Sequence, residues 1–216
     1  MRKTVRIEAG DPREEILKEM AAEALKPENL MVVAKGPENR KDSSFDCIEK
    51  YGMCFYTVGH VSGNNSTNVF MEHVSPDETT TALKNTAASA RIGSLEDVID
   101  EILYGVGGFK PCEAFYRLCD FKPGDSPTYV LITADRTNGA GLMLCDGVFI
   151  RLRQILNKNF WIVPSSVHEL IIIPVSDDFF ISKNKVVSMV AAVNREEVLP
   201  EERLINNAFF FDGAIH

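Results

Sequence analysis

Apolar residues recur along this chain with two different periods. Spacings of three and four mark helices, strict alternation marks strands, and each change of period marks an element boundary. Ile16, Leu17, Met20, Ala21 and Leu25 fall on one helical face. Ahead of them, Asp11-Pro12-Arg13-Glu14 offers a cap, a proline for the first turn and acids for the positive end of the dipole; Lys26-Pro27 ends the helix. Leu30–Ala34 and Met53–Val58 read as strands. The polar stretch Gly36–Ser44 between them reads as a loop, and Gly63-Asn64-Asn65-Ser66, within Gly59–Asn68, as a turn. Ser75-Pro76-Asp77-Glu78 has the spacing of a capping box and predicts a helix to about Ala88. Ser94-Leu95-Glu96-Asp97 opens another, with Leu95, Val98, Ile99, Ile102 and Leu103 as its stripe and Gly105, Gly107 and Gly108 as its stop.

After a stretch in which Pro123 and Pro127 flank Gly124-Asp125-Ser126, the pattern becomes more regular. Tyr129–Ala134 is a predicted strand, Asp135–Gly139 a turn, and Ala140–Cys145 a returning strand, with Asn138-Gly139 as the hairpin signal. Val148–Leu156 reads as a helix, Phe160–Val163 and His168–Val175 as strands about a Pro164-Ser165-Ser166 turn, Ile181–Asn194 as a helix and Ala208–Phe211 as a last strand. The order β-β-α-β-β-α-β, with tight turns between strands, predicts an α+β fold: an antiparallel sheet with helices on one face, preceded by a smaller N-terminal α/β region. Three stretches follow: an N-terminal α/β region over 1–67, a helical segment and linker over 68–127, and a C-terminal α+β domain over 128–216.

Composition narrows the function classes. The chain has 216 residues, 45% hydrophobic and 25% charged, enough for a well-buried core. Its longest apolar run, Leu170–Val175, is strand-sized, and no apolar signal core follows the basic start, so no membrane and no secretory route is expected. The net charge of −8 disfavours nucleic acid. Five cysteines, with no CxxC pair and two seven-residue gaps, read as reduced, mostly buried thiols of a cytoplasmic protein; no metal and no cofactor is expected.

The strings Tyr129-Val130-Leu131, Asn138-Gly139-Ala140 and Trp161-Ile162-Val163-Pro164-Ser165-Ser166-Val167-His168-Glu169-Leu170, with Val193-Asn194, Val198, Pro200-Glu201-Glu202 and Phe209-Phe210-Phe211-Asp212, carry a resemblance. Over 128–216 the chain resembles the C-terminal part of an uncharacterised bacterial family, common in gut clostridia and known only as a domain of unknown function. A weaker likeness continues through Leu83-Lys84-Asn85-Thr86, while 1–67 is unlike that family's N-terminal region. The resemblance implies no activity.

Candidate chemistry centres on Ser165-Ser166-Val167-His168-Glu169. On a strand, Ser166 and His168 share a face and Glu169 points away, so His168 could serve Ser166 as a base without an orienting acid. The competing reading is a turn whose hydroxyls satisfy backbone N–H groups. Cys145 is a second candidate nucleophile; no GxSxG elbow accompanies either. Asn138, Ser165, Ser166, His168, Glu169 and Phe210 are the candidate binding residues. His60 and His73 read as exposed or locally bonded, Trp161 as core, and Phe209-Phe210-Phe211 as packed under a terminal segment or facing a partner. Three functions are compatible: a non-catalytic interaction or regulatory module whose partner is a protein or a second copy of itself, a small hydrolase-like enzyme using Ser166 or Cys145 with His168, and an acidic inhibitor from a mobile element.

Overall fold

A computed structural model describes residues 14–62, 66–94, 116–117, 128–164, 166–175 and 181–216. The expected cap at Asp11, the Gly63–Asn65 turn, the helix after Ser94, the proline-flanked linker and Ser165 lie outside the described residues.

The first helix, α1 (Glu14–Ala24), leads through a short 3-10 turn into β1 (Leu30–Lys35), followed by β2 (Ile48–Lys50), β3 (Met53–Val61) and β4 (Thr67–Phe70). These four strands form one antiparallel sheet in which β3 pairs with β1, β2 and β4. The turn from β2 to β3 is two residues long, and both take positive φ, Tyr51 at 56° and Gly52 at 76°. That is the twist a two-residue hairpin needs.

Helix α2 (Pro76–Ala88) begins as its sequence predicts. The Ser75 hydroxyl accepts from Glu78 N at 3.3 Å, and the Glu78 carboxylate accepts from Ser75 N at 3.0 Å. β5 (Ala90–Ser94), β6 (Tyr116–Arg117), β7 (Tyr129–Thr133), α3 (Asp146–Leu156), β8 (Phe160–Val163), β9 (Glu169–Pro174), α4 (Lys183–Glu196) and β10 (Phe209–Phe211) follow. The second sheet is antiparallel, in the order β10-β8-β9-β7-β5-β6.

The class is α+β, with open antiparallel sheets. Two details of the expected C-terminal unit are corrected. Ala140–Cys145 does not return as a strand: Gly139–Leu144 is a buried 3-10 turn entered through Asn138, whose φ of 57° is left-handed. Both edges of β7 are taken by β5 and β9, so the chain after it has no edge to pair with. Nor do the helices share one face. Val148, Phe149, Leu152 and Leu156 of α3 join the cluster with Phe160, Ile162 and Leu170, whereas Val186 and Val190 of α4 join Trp161, Val163 and Ile173 on the other side.

The main core takes Leu30, Val32 and Phe55 from the first sheet together with Leu131, Leu170 and Ile172 from the second. The 3-10 turn joins them. A Cβ at Gly141 would collide with the Val32 carbonyl, so only glycine lets this backbone approach β1. Among the described residues, no helix is long and apolar enough to cross a membrane.

Candidate functional site

β3 carries alternating side chains to two faces, and His60 lies near its end on the face of Tyr56 and Val58. The ring is buried, at 5% exposure. Its Nε2 hydrogen-bonds Asp135 Oδ2, and its Nδ1 lies 2.8 Å from Asn68 Oδ1. Asp135 comes from the turn after β7, and Asn68 from β4, directly opposite His60 in the register. Asn68 and Asn138 exchange amide hydrogen bonds, at 3.0 and 2.9 Å. Thr133 and Thr137 donate their hydroxyls to Asp135 at 2.8 and 2.9 Å, and Ser62 does so at 3.2 Å.

This network ties the β3–β4 hairpin of one sheet to the turn leaving the other. Each ring nitrogen lies within hydrogen-bond distance of an acceptor oxygen, an arrangement that favours the protonated, doubly donating ring. Burial opposes that charge, but the hydrogen bonds to Asp135 and Asn68 and the carboxylate's charge outweigh it, so the His60 pKa stands above its usual 6.5. Burial likewise pushes Asp135 up, and the bonds from His60, Thr133 and Thr137 override it, leaving the carboxyl far below the usual 3.8. A ring saturated in this way is a clamp rather than a base. The expectation that His60 is exposed or locally bonded is thereby corrected: its partner is 75 positions along the chain. His73 is exposed, 3.8 Å from Asp46.

The two turns singled out in the sequence lie against each other. Gly139 N donates to His168 O at 2.9 Å and Ala140 N to Val167 O at 3.3 Å. The strand begins only at Glu169, so Ser166–His168 is a bend and the alternation expected there does not apply. Ser166 Oγ accepts from His168 N at 3.1 Å and donates to Glu169 Oε1 at 2.8 Å, placing Ser166 with Glu169 rather than with the imidazole. The His168 ring turns to Glu202, 3.2 Å from Nε2.

Cys145 lies apart from this bend, with its thiol 3.7 Å from Leu83 O. It lines a cleft of about 520 Å³ between α2 and α3. Burial, and then the Asp146 charge, push the thiol up to about 12, where it stays protonated. Trp161 is core, its indole N–H donating to Ile181 O at 3.1 Å. The three phenylalanines of β10 all pack: Phe209 against Tyr51, Phe211 against Phe160, and half-buried Phe210 against Trp161 at 5.0 Å. Of the sequence candidates, Ser166, His168 and Glu169 adjoin one another, Asn138 joins the His60 clamp, and Cys145 and Phe210 belong to neither group.

The profile of a family of unknown function, DUF5688, matches residues 67–213, about two thirds of the chain. The chain belongs to that family. No curated protein and no solved structure matches it. The DUF5688 stretch contains Asn68, Asp135, Asn138 and the whole Ser166–Glu169 bend, while His60 enters from outside it. The clamp therefore fastens the N-terminal strands to the DUF5688 part. His60, Asn68, Asp135 and Thr137 were not legible as a group, because nothing local in the sequence relates positions 60 and 135.

Proposed function

We propose that the protein is a non-catalytic interaction module of the bacterial cytoplasm that works by associating with a second copy of itself. The observation that carries this reading is the outward face of α4. Its inner face, Val186, Val190 and Asn194, is buried on the second sheet. Its outer face carries Met189 at 49% exposure and Val193 at 40%, flanked by Lys185 toward the N-terminus and Glu196 toward the C-terminus. Met189 and Val193 centre on position 191, and Lys185 and Glu196 centre within half a residue of it, so the two pairs share one centre. When two copies pack antiparallel about a two-fold axis, Met189 of one meets Val193 of the other and Lys185 meets Glu196 twice.

The surroundings of the candidate nucleophiles support the non-catalytic part. Ser166 is bonded on both sides, Cys145 is buried and protonated, and His60 has both nitrogens occupied. The free thiols at Cys47, Cys54 and Cys145, together with the resemblance of the Pro-Ser-Ser-Val-His-Glu string to an uncharacterised bacterial family, support the location. One helix face is smaller than the roughly 800 Å² per partner of a standard interface, so the dimer is weak and concentration-dependent.

Sedimentation velocity over a range of concentrations tests it. Lys185→Glu alone weakens association, and Lys185→Glu with Glu196→Lys restores it. A monomer at every concentration, or a double variant no better than the single one, would sink the reading.

A further inference from the structure

The hairpin formed by β2 and β3 brings together donor atoms that the clamp and the α4 face do not use. Cys47 precedes β2, Glu49 lies within it, and Cys54 is the register partner of Glu49 on β3. Cys47 stands two residues before Glu49, at the entry to the strand. The ligand atoms of all three lie within 4.8 Å of one another. Around a tetrahedral zinc ion, bonds of about 2.3 Å to sulfur and about 2.1 Å to oxygen place such atoms roughly 3.5–3.8 Å apart. Closing the set therefore takes about an ångström of side-chain movement, on a hairpin whose register is pinned by the two-residue Tyr51-Gly52 turn.

We propose that Cys47, Glu49 and Cys54 bind a thiophilic divalent cation of the zinc class, with water in the fourth position. Two thiolates and a carboxylate suit Zn²⁺ over the hard cations, which prefer all-oxygen sets. The place already attracts positive charge. Arg40 pairs with Glu49, one of the three ligands. Arg40 is 44% exposed and free of any deep socket, so it swings into solvent as the ion enters. Cys54 is buried against Met31, Val33, Tyr56 and Val58, while Cys47 and Glu49 open toward solvent, which gives the ion a route in. The bound ion pins the polar loop before β2 to the body of the sheet. All three ligands precede residue 67, so the site belongs to the N-terminal strands and not to the DUF5688 match.

The experiment is a titration of the reduced full chain with Co²⁺ and then Zn²⁺, followed by absorbance. One equivalent of Co²⁺ should produce a thiolate-to-cobalt charge-transfer band in the near ultraviolet, and Zn²⁺ should bleach it. Cys47→Ser and Cys54→Ser should each remove the band and weaken Zn²⁺ by more than about 100-fold, beyond the loss expected when only a supporting residue is changed. Arg40→Met, which deletes the competing cation without touching a ligand, should tighten binding by about tenfold. Cys47 is half-exposed, so its variant keeps the fold and its result stands even if Cys54→Ser is unstable. No band in the wild-type protein, a band that survives Cys47→Ser, or weaker binding by Arg40→Met would overturn the proposal. So would a reduced protein that forms a Cys47–Cys54 disulfide in air yet takes up no Co²⁺.

Discussion

His60 shows how much one residue can decide when its neighbours are chosen for it. The clamp with Asp135 makes a pH-dependent contribution whose sign follows from the two shifts. His60 is raised above 6.5, so its contribution is complete below that pH and is lost as the pH climbs through the folded value. Asp135 is depressed below 3.8, so its contribution is complete above that pH and is lost as the pH falls toward its folded value. The pair therefore supports the fold best between about pH 4 and 6.5. The urea midpoint of the wild-type protein should fall from pH 6 to pH 8, and Asp135→Asn should abolish that fall. If the variant keeps the wild-type slope, the clamp is not what titrates. At this scale the sequence was least informative. The polar turn at Ser166 was recognisable from proline and hydroxyl side chains, but the charge partner of His60 is set by how two sheets meet, which no local pattern encodes.

At the scale of elements, edges explain most of what the chain does. β1 is an edge strand, and its Val32 N–H points away from β3. Thr86 of α2 takes that proton on its hydroxyl at 2.9 Å while donating to Ala82 O at 2.8 Å. Thr86→Val keeps the shape and strands a buried backbone donor, which costs about 1–3 kcal/mol; urea unfolding should show that loss, and a neutral result would mean that water replaces the hydroxyl. Boundaries that depend on local chemistry were legible: the Ser75 capping box predicted α2, and the apolar runs at Phe160–Val163 and Ala208–Phe211 predicted strands, the second starting one residue later, at Phe209. The Asn138-Gly139 pair misled because its turn chemistry is real while the hairpin needs a free strand edge. Left-handed Asn138 does turn the chain, but into Gly139–Leu144, which packs under β1.

Over the whole molecule, the α+β class could be read from element order, whereas the arrangement of helices on both faces of the second sheet could not. The central runs Phe160–Val163 and Leu170–Ile173 are apolar on both sides, and short apolar runs do not say which helix covers which side. The main core joins residues of both sheets, so a weakening in one should be felt in the other. Phe55→Leu in β3, a buried loss of about 1 kcal/mol, should lower the unfolding midpoint reported by Trp161, the one tryptophan, which sits in the second sheet. A Trp161 transition that ignores the substitution would mean that the sheets unfold separately, and the same measurement tests the three-stretch division of the chain.

The return of the chain past β10 has a consequence for solubility. Phe209-Phe210-Phe211 forms the outer strand of the second sheet, and three aromatic residues on an open edge would be a template for strand addition by any neighbouring chain. Ile215 bridges back to Phe211, and His216 exchanges both backbone hydrogen bonds with Phe210, at 3.1 and 2.9 Å. The row of backbone groups that would recruit a stranger is thus spent on Ile215 and His216 of the same chain, which act as a guard against fibril growth from this aromatic edge.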